Sequence, residues 1–211
     1  MIIAIDGPAA SGKSSLARLI AAHYKLPHLN TGSLYRAVAR DVIAAGERLD
    51  GPFAAQAALR IDMATLGDPA LQEAQLGDPA SVVAALPEVR QALLAAQRDF
   101  ILKARRGAGA VIEGRDIGTV ICPDAEVKLF ITASADARAK RRYLEAAEYD
   151  SAVDESAIGE ALKRRDERDA SRPDAPMQRA ADAYLLDTTN LDIETALKMV
   201  FDYINSRATR S

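Results

Sequence analysis

Residues 2–14, IIAIDGPAASGKS, constrain the chain more than any other stretch. Ile2, Ile3, Ala4 and Ile5 form an apolar run without polar alternation, as a parallel strand covered on both faces requires. From Ser14 the pattern changes, and Leu16, Leu19, Ile20 and Tyr24 recur at helical spacing. Between strand and helix stands G-x-x-x-x-G-K-S, in the one context that gives this motif its chemistry. Its glycines let the backbone wrap a phosphate, whose charge is met by N–H groups and the positive end of the following helix. Gly7, Pro8, Ala9, Ala10, Ser11, Gly12, Lys13, Ser14 and Ser15 are therefore the candidate seat for ATP. Lys13 would reach the β- and γ-phosphates, and the Ser14 hydroxyl would ligate Mg²⁺.

Four further strands are expected, around His28-Leu29, at AVIEG (110–114), at EVKLFIT (126–132) and at AYLLDTT (183–189). Helical patterns separate them, over about 33–45 with Gly46 as a stop, and over about 88–105. Strands alternating with helices predict an α/β fold, doubly wound, with a five-stranded parallel sheet. Residues 54–80 read as helical and contain LGDPA twice, at 66–70 and 76–80. Asp68-Pro69 and Asp78-Pro79 each look like an N-cap followed by proline, so two helix starts are expected. Residues 133–176 are charged, lack a strand pattern, and read as a helical excursion from the core.

Composition narrows the function. The net charge of −3 speaks against a nucleic-acid surface. Only seven of the 27 basic residues are lysine, and arginine's planar fork suits phosphate. The single cysteine, Cys122, excludes an internal disulfide, and His23 with His28 are too few for a histidine metal cluster. No run of 18 apolar residues occurs, so a cytoplasmic protein without a membrane segment is expected. No N-K-x-D guanine motif is present, and the chain is short for a motor or transport ATPase. Glu113 and Asp116 are the candidates for a metal-side carboxylate. A small P-loop kinase is the expected class, with a non-catalytic nucleotide-binding regulator as the alternative.

The motifs IDGPAASGKSS (5–15), NTGSLYR (30–36), SVVAALPEVR (81–90), EGRDIGTVICPDAEVKLFI (113–131), RRDERDASR (164–172) and DTTNL (187–191) resemble those of the bacterial cytidylate kinase family over nearly the whole chain. The resemblance implies a nucleoside monophosphate kinase transferring the ATP γ-phosphoryl group to CMP or dCMP. It implies a core of 1–29, 106–137 and 177–211, an acceptor-binding region at 30–105 with a shortened insert at about 54–80, and a lid at 138–176. Carried over by motif, Thr31, Arg36, Arg115 and Arg172 would hold the acceptor phosphate. Ser81, Arg90 and Asp116 would read the cytosine edge, and Arg165 with Asp169 the ribose hydroxyls. Arg138, Arg141 and Arg142 would lie near the transferring phosphoryl group. The family also implies a monomer.

Elementary chemistry agrees with these roles. Cytosine offers an amino donor beside two acceptors, so its reader needs a carboxylate and donors together. A phosphate acceptor needs no general base, which leaves positioning and charge neutralisation as the work of catalysis. UMP, AMP or a hydroxyl metabolite stand as alternative acceptors, and a hydroxyl would call for a base carboxylate. At 100° per residue, Arg165, Arg168, Asp169 and Arg172 share one helical face, while Asp166 and Glu167 point elsewhere. Arg164 and Glu167 are the expected surface ion-pair partners. Pro173 disfavours helical geometry at Arg172, so that arginine should leave the helix.

Overall fold

The computed structural model describes residues 1–148 and 152–208. Its five strands are β1 (Ile2–Asp6), β2 (His28–Asn30), β3 (Ala110–Gly114), β4 (Val127–Thr132) and β5 (Tyr184–Asp187), arranged β2-β3-β1-β4-β5. Every pairing is parallel, with Ile5 opposite Glu113 on one side and Leu129 on the other. The apolar run at 2–5 thus forms the central strand, buried along its length. Ile3 and Ile5 face α1 (Lys13–Tyr24) and α8 (Ile193–Ala208) through Leu16, Ile20, Val200 and Ile204. Ile2 and Ala4 face the opposite way, toward Ile101 and Ala104 of α5 (Pro87–Arg106).

The excursion between β2 and α5 comprises α2 (Thr31–Ala44), α3 (Phe53–Ala58), three short 3-10 turns and α4 (Gly77–Ala84). It has its own core of Leu34, Val38, Val42, Ala54, Val83, Val89 and Leu93. α5 joins the two cores: Val89 and Leu93 belong to the excursion, Ile101 and Ala104 to the sheet. The charged stretch after β4 folds as α6 (Ala135–Ala147) and α7 (Glu155–Ser171), which pack on each other, while α7 also meets α4. Residues 149–151 of the expected lid and 209–211 of the expected core lie outside the described residues. No helix is long and apolar enough among the described residues to cross a membrane.

The LGDPA echo does not give two equivalent helix starts. Asp68 caps a 3-10 turn, Pro69–Gln72, by accepting from the Ala70 N–H at 2.9 Å. Asp78 is not an N-cap: α4 already begins at Gly77, after Leu76 at φ −81° and ψ −6°. The turn Ala74–Leu76 runs straight into α4, so no extended capping residue intervenes. Pro79 sits in the first helical turn, where its missing N–H would have had no intrahelical partner. Residues 54–80 are therefore helical only at their ends, with 3-10 turns between.

Candidate nucleotide site

The turn after β1 is shaped by close packing. A Cβ on Gly7, at φ 147°, would fall 2.0 Å from the Ile131 carbonyl oxygen, so only glycine passes β4 here. Ala10 at φ 57° and Gly12 at φ 84° turn the chain into α1. Lys13 is buried, with Nζ 3.2 Å from the Pro8 carbonyl, and burial together with Arg115 lowers its pKa to about 7. Ser14 Oγ donates to Glu113 Oε2 at 2.7 Å, and His28 Nε2 lies 3.1 Å from Glu113 Oε1. Burial raises Glu113, but His28, Lys13 and Ser14 outweigh it and hold the carboxyl below its ordinary value. Of the two candidate metal-side carboxylates, Glu113 faces the loop and Asp116 does not.

Two of the loop's carbonyls are tied outward, one to α6 and one to the residue after β5. Arg138 Nη1 approaches the Ala9 carbonyl at 3.4 Å, and Thr188 Oγ1 donates to the Ser11 carbonyl at 3.0 Å. Arg141 binds both oxygens of Thr188. Arg138 also pairs with Asp166, which corrects the expectation that Asp166 points away from the site. A second side of α7 is covered, by α6, so one helical face was too narrow a guide.

On the opposite wall, Arg36 of α2, Arg142 of α6 and Arg165 of α7 converge on Gly77. Measured from the position its Cβ would take, Arg165 Nη1, Arg142 Nη2 and Arg36 Nη2 lie 3.3, 3.8 and 3.9 Å away. Burial first, then neighbouring arginines, pulls Arg165 down to about 9 and Arg36 to about 10. Arg36 Nη1 is held by the carbonyls of Leu71 and Glu73, both at 2.9 Å. Asp169 sits among these cations, accepting from Ser81 Oγ and Arg115 Nε, each at 3.0 Å. Burial raises Asp169, and Arg115, Arg165 and Arg172 more than reverse it. Arg165 Nε is buried with no partner.

Deeper in the cleft Arg90 forms an ion pair with Asp116 and approaches the Tyr35 hydroxyl at 3.3 Å. Arg172 leaves the helix, at φ −56° and ψ 133°, and reaches the Ala84 carbonyl at 3.5 Å. Its Nη2 is also buried without a partner. The Ser81 hydroxyl is engaged by Asp169, and the Thr31 hydroxyl donates to the Glu113 carbonyl at 2.8 Å. Arg168 turns to Asp78 at 2.8 Å instead of into the cleft. Arg164 pairs with Glu160 at 3.7 Å, not with Glu167, in line with the better orientation of an acid four residues N-terminal to its base.

His28, Tyr35, Asp166 and Thr188 are the site residues that sequence reasoning did not single out. Tyr35, Asp166 and Thr188 did carry a signal, since they lie within NTGSLYR, RRDERDASR and DTTNL, whereas His28 carried none. Together these residues form a phosphate loop and, beside it, a largely buried cluster of arginines balanced by Asp116, Asp166 and Asp169.

The cytidylate kinase family model matches residues 3–206. A cytidylate kinase of a Bradyrhizobium species is 52% identical over 207 residues, covering 98% of this chain and 96% of that one. A cytidylate kinase of Nitrobacter winogradskyi is 50% identical over 212 residues, covering 100% of this chain and 99% of that one. Among solved structures, an uncharacterised protein from Eubacterium ventriosum has the same fold, with a TM-score of 0.57 at 20% identity, covering 98% of this chain and 99% of that one.

Proposed function

The chain belongs to the cytidylate kinase family, and on that premise we propose how its residues carry the γ-phosphoryl group of ATP to CMP or dCMP. It is an ATP-dependent phosphotransferase yielding ADP with CDP or dCDP. The observation that supports the assignment of sites best is the meeting of Arg36, Arg142 and Arg165 around a residue with no side chain.

ATP would lie with its phosphates in the loop from Gly7 to Ser15. The loop's carbonyls are occupied by Arg138 and Thr188, which leaves its N–H groups for the anion. Lys13 is poised for the β- and γ-oxygens, and a phosphate beside it would hold its proton. Ser14 and Glu113, two hard oxygen ligands 2.7 Å apart, fit Mg²⁺. Among the described residues no group of three His, Cys, Asp or Glu could hold a metal ion, and a Mg²⁺ at Ser14 and Glu113 would take its other ligands from phosphates and water. When bound, that ion would neutralise charge between the β- and γ-phosphates.

Arg36, Arg115 and Arg172 would hold the acceptor phosphate, the unpartnered Nη2 of Arg172 supplying one donor. Thr31 would join them once its proton leaves the Glu113 carbonyl. Asp116 would accept from the cytosine amino group, with Arg90 and Ser81 donating to its ring acceptors. Arg165 and Asp169 would take the ribose. Arg138, Arg141 and Arg142, on the helix that opens the lid, would meet the transferring group. No base is required, because the nucleophile is already a phosphate oxygen. Glu113 and Asp169, two carboxylates that act electrostatically on Lys13, are both engaged by neighbours, which argues against a hydroxyl acceptor. Functionally the chain divides into a core (1–29, 106–137, 177–211), an acceptor region (30–105) and a lid (138–176). A cytoplasmic monomer without nucleic-acid partners completes the proposal. It rests on the net charge of −3 and the family resemblance.

A panel of CMP, dCMP, UMP and AMP with Mg-ATP tests it through nucleotide-dependent ADP release. CMP and dCMP should lead, and absence of CMP-dependent release would end the reading.

A further inference from the structure

One buried carboxylate has no part in the reaction as derived above. Asp6 ends β1, immediately before Gly7, and is only 4% exposed. Its Oδ1 accepts the N–H of Ile117 and its Oδ2 that of Gly118, both at 2.8 Å. These amides directly follow Arg115 and Asp116. The same turn, Ile117–Ile121, winds round the Asp116 carbonyl, which accepts from Val120 at 2.9 Å and from Ile121 at 3.1 Å. Gly118 lets the backbone settle on the carboxylate: a Cβ there would stand 3.4 Å from Asp6 Oδ2 and 3.2 Å from Lys128 Cδ. Two parallel bonds to one rigid carboxylate fix both the distance and the rotation of the turn.

Stability alone does not explain an acid at this place. Burial pushes Asp6 up to about 6, with Asp116 adding to the rise, while the two amides and Arg115 oppose it. A neutral side chain of the same shape would be easier to bury. What only the carboxylate provides is two equivalent acceptors for two adjacent N–H groups.

We propose that Asp6 is a positioning residue for the acceptor, registering the turn that carries Arg115 and Asp116 against the phosphate loop that begins one residue later. The role rests on the reading of Arg115 and Asp116 as acceptor contacts. Because Asp6 and Gly7 are consecutive, the donor loop and the acceptor-reading turn share one anchor. An error at that anchor would misalign the two nucleotides without removing any group that touches them.

Asp6→Asn keeps the shape and one acceptor but sets an amide N–H against a backbone N–H. Steady-state kinetics should then give a CMP KM raised roughly 10–100-fold, a misplacement effect. The preference for CMP over UMP should fall, the ATP KM should stay within about twofold, and the melting temperature should stay within a few degrees of the wild type, the lost bond being offset by removal of a buried charge. Asp6→Ala removes both acceptors and should move the CMP KM in the same direction. Unchanged CMP KM in both variants would overturn the proposal. So would CMP and ATP KM rising together with a lower melting temperature, the pattern of general damage. Asp116→Asn measured alongside separates the two layers. If Asp116→Asn leaves base choice intact, the acceptor reading fails; if it relaxes base choice while Asp6→Asn leaves CMP binding alone, only the positioning role fails.

Discussion

Arg115 and Asp169, 54 positions apart in the chain, meet at 3.0 Å with both side chains largely buried. One stands at the end of β3 and the other on α7, so the pair ties the sheet to the expected lid. Asp169 is also the acid that balances Arg165 and Arg172 in the cleft. Removing it leaves several cations facing one another.

Asp169→Ala should therefore lower stability by about 3 kcal/mol, the usual scale for uncompensated buried charge. Saturating CMP, which brings its own negative charge, should recover part of the loss. Thermal melts with and without CMP measure both effects, and a variant that melts like the wild type would contradict the balancing role.

Arg36→Lys should weaken CMP more than ATP, because an ammonium cannot reproduce the guanidinium fork while Leu71 and Glu73 carbonyls hold its other side. One lost charge-assisted bond corresponds to roughly 1.5–3 kcal/mol, or about 10–150-fold in CMP affinity. Titration calorimetry with each nucleotide reads the split. Equal losses for both would place Arg36 outside the acceptor site.

Asp116→Asn should relax the choice of base, since an amide can donate as well as accept. Discrimination against UMP should fall roughly tenfold or more. The kcat/KM ratio for CMP over UMP reports it directly, and an unchanged ratio would remove Asp116 from base reading.

The titration of Asp6 has a defined sign. Its folded pKa is raised from 3.8 to about 6, so the fold favours the neutral form. That contribution is complete below pH 3.8 and is lost as pH rises through about 6. Asp6→Asn, neutral throughout, loses one of the two backbone bonds at every pH, but it should compare better with the wild type near pH 7.5 than near pH 4, by at most about 3 kcal/mol. Denaturant melts at the two pH values give the difference, and a pH-independent gap would mean that Asp6 does not titrate in this range.

Much of the fold was legible because its decisive segments are local. The run at 2–5 could be satisfied only by a strand buried on both faces, and Gly7, Gly12 and Lys13 identified the turn after it. Arg172 was legible for the same reason, since Pro173 alone forbids it helical geometry. What escaped depended on neighbours distant in sequence. Asp78 failed as a cap because the preceding turn was already helical. Asp166 was assigned outward because a single-face helical wheel ignores a second packed side. Glu113 could be weighed as a strand-end acid, yet its engagement by Ser14 and His28 required β1, β2 and β3 to be laid side by side.

The wedge between Gly7 and Ile131 has a consequence for anyone redesigning this enzyme. With a backbone oxygen 2.0 Å from where any side chain would start, that position offers no alphabet to choose from. On the proposed assignment, freedom to alter what is phosphorylated lies with α2, α4, α5 and α7, where side chains and not main chain set the walls. A library aimed at new acceptors should leave residues 6 and 7 untouched and spend its diversity there.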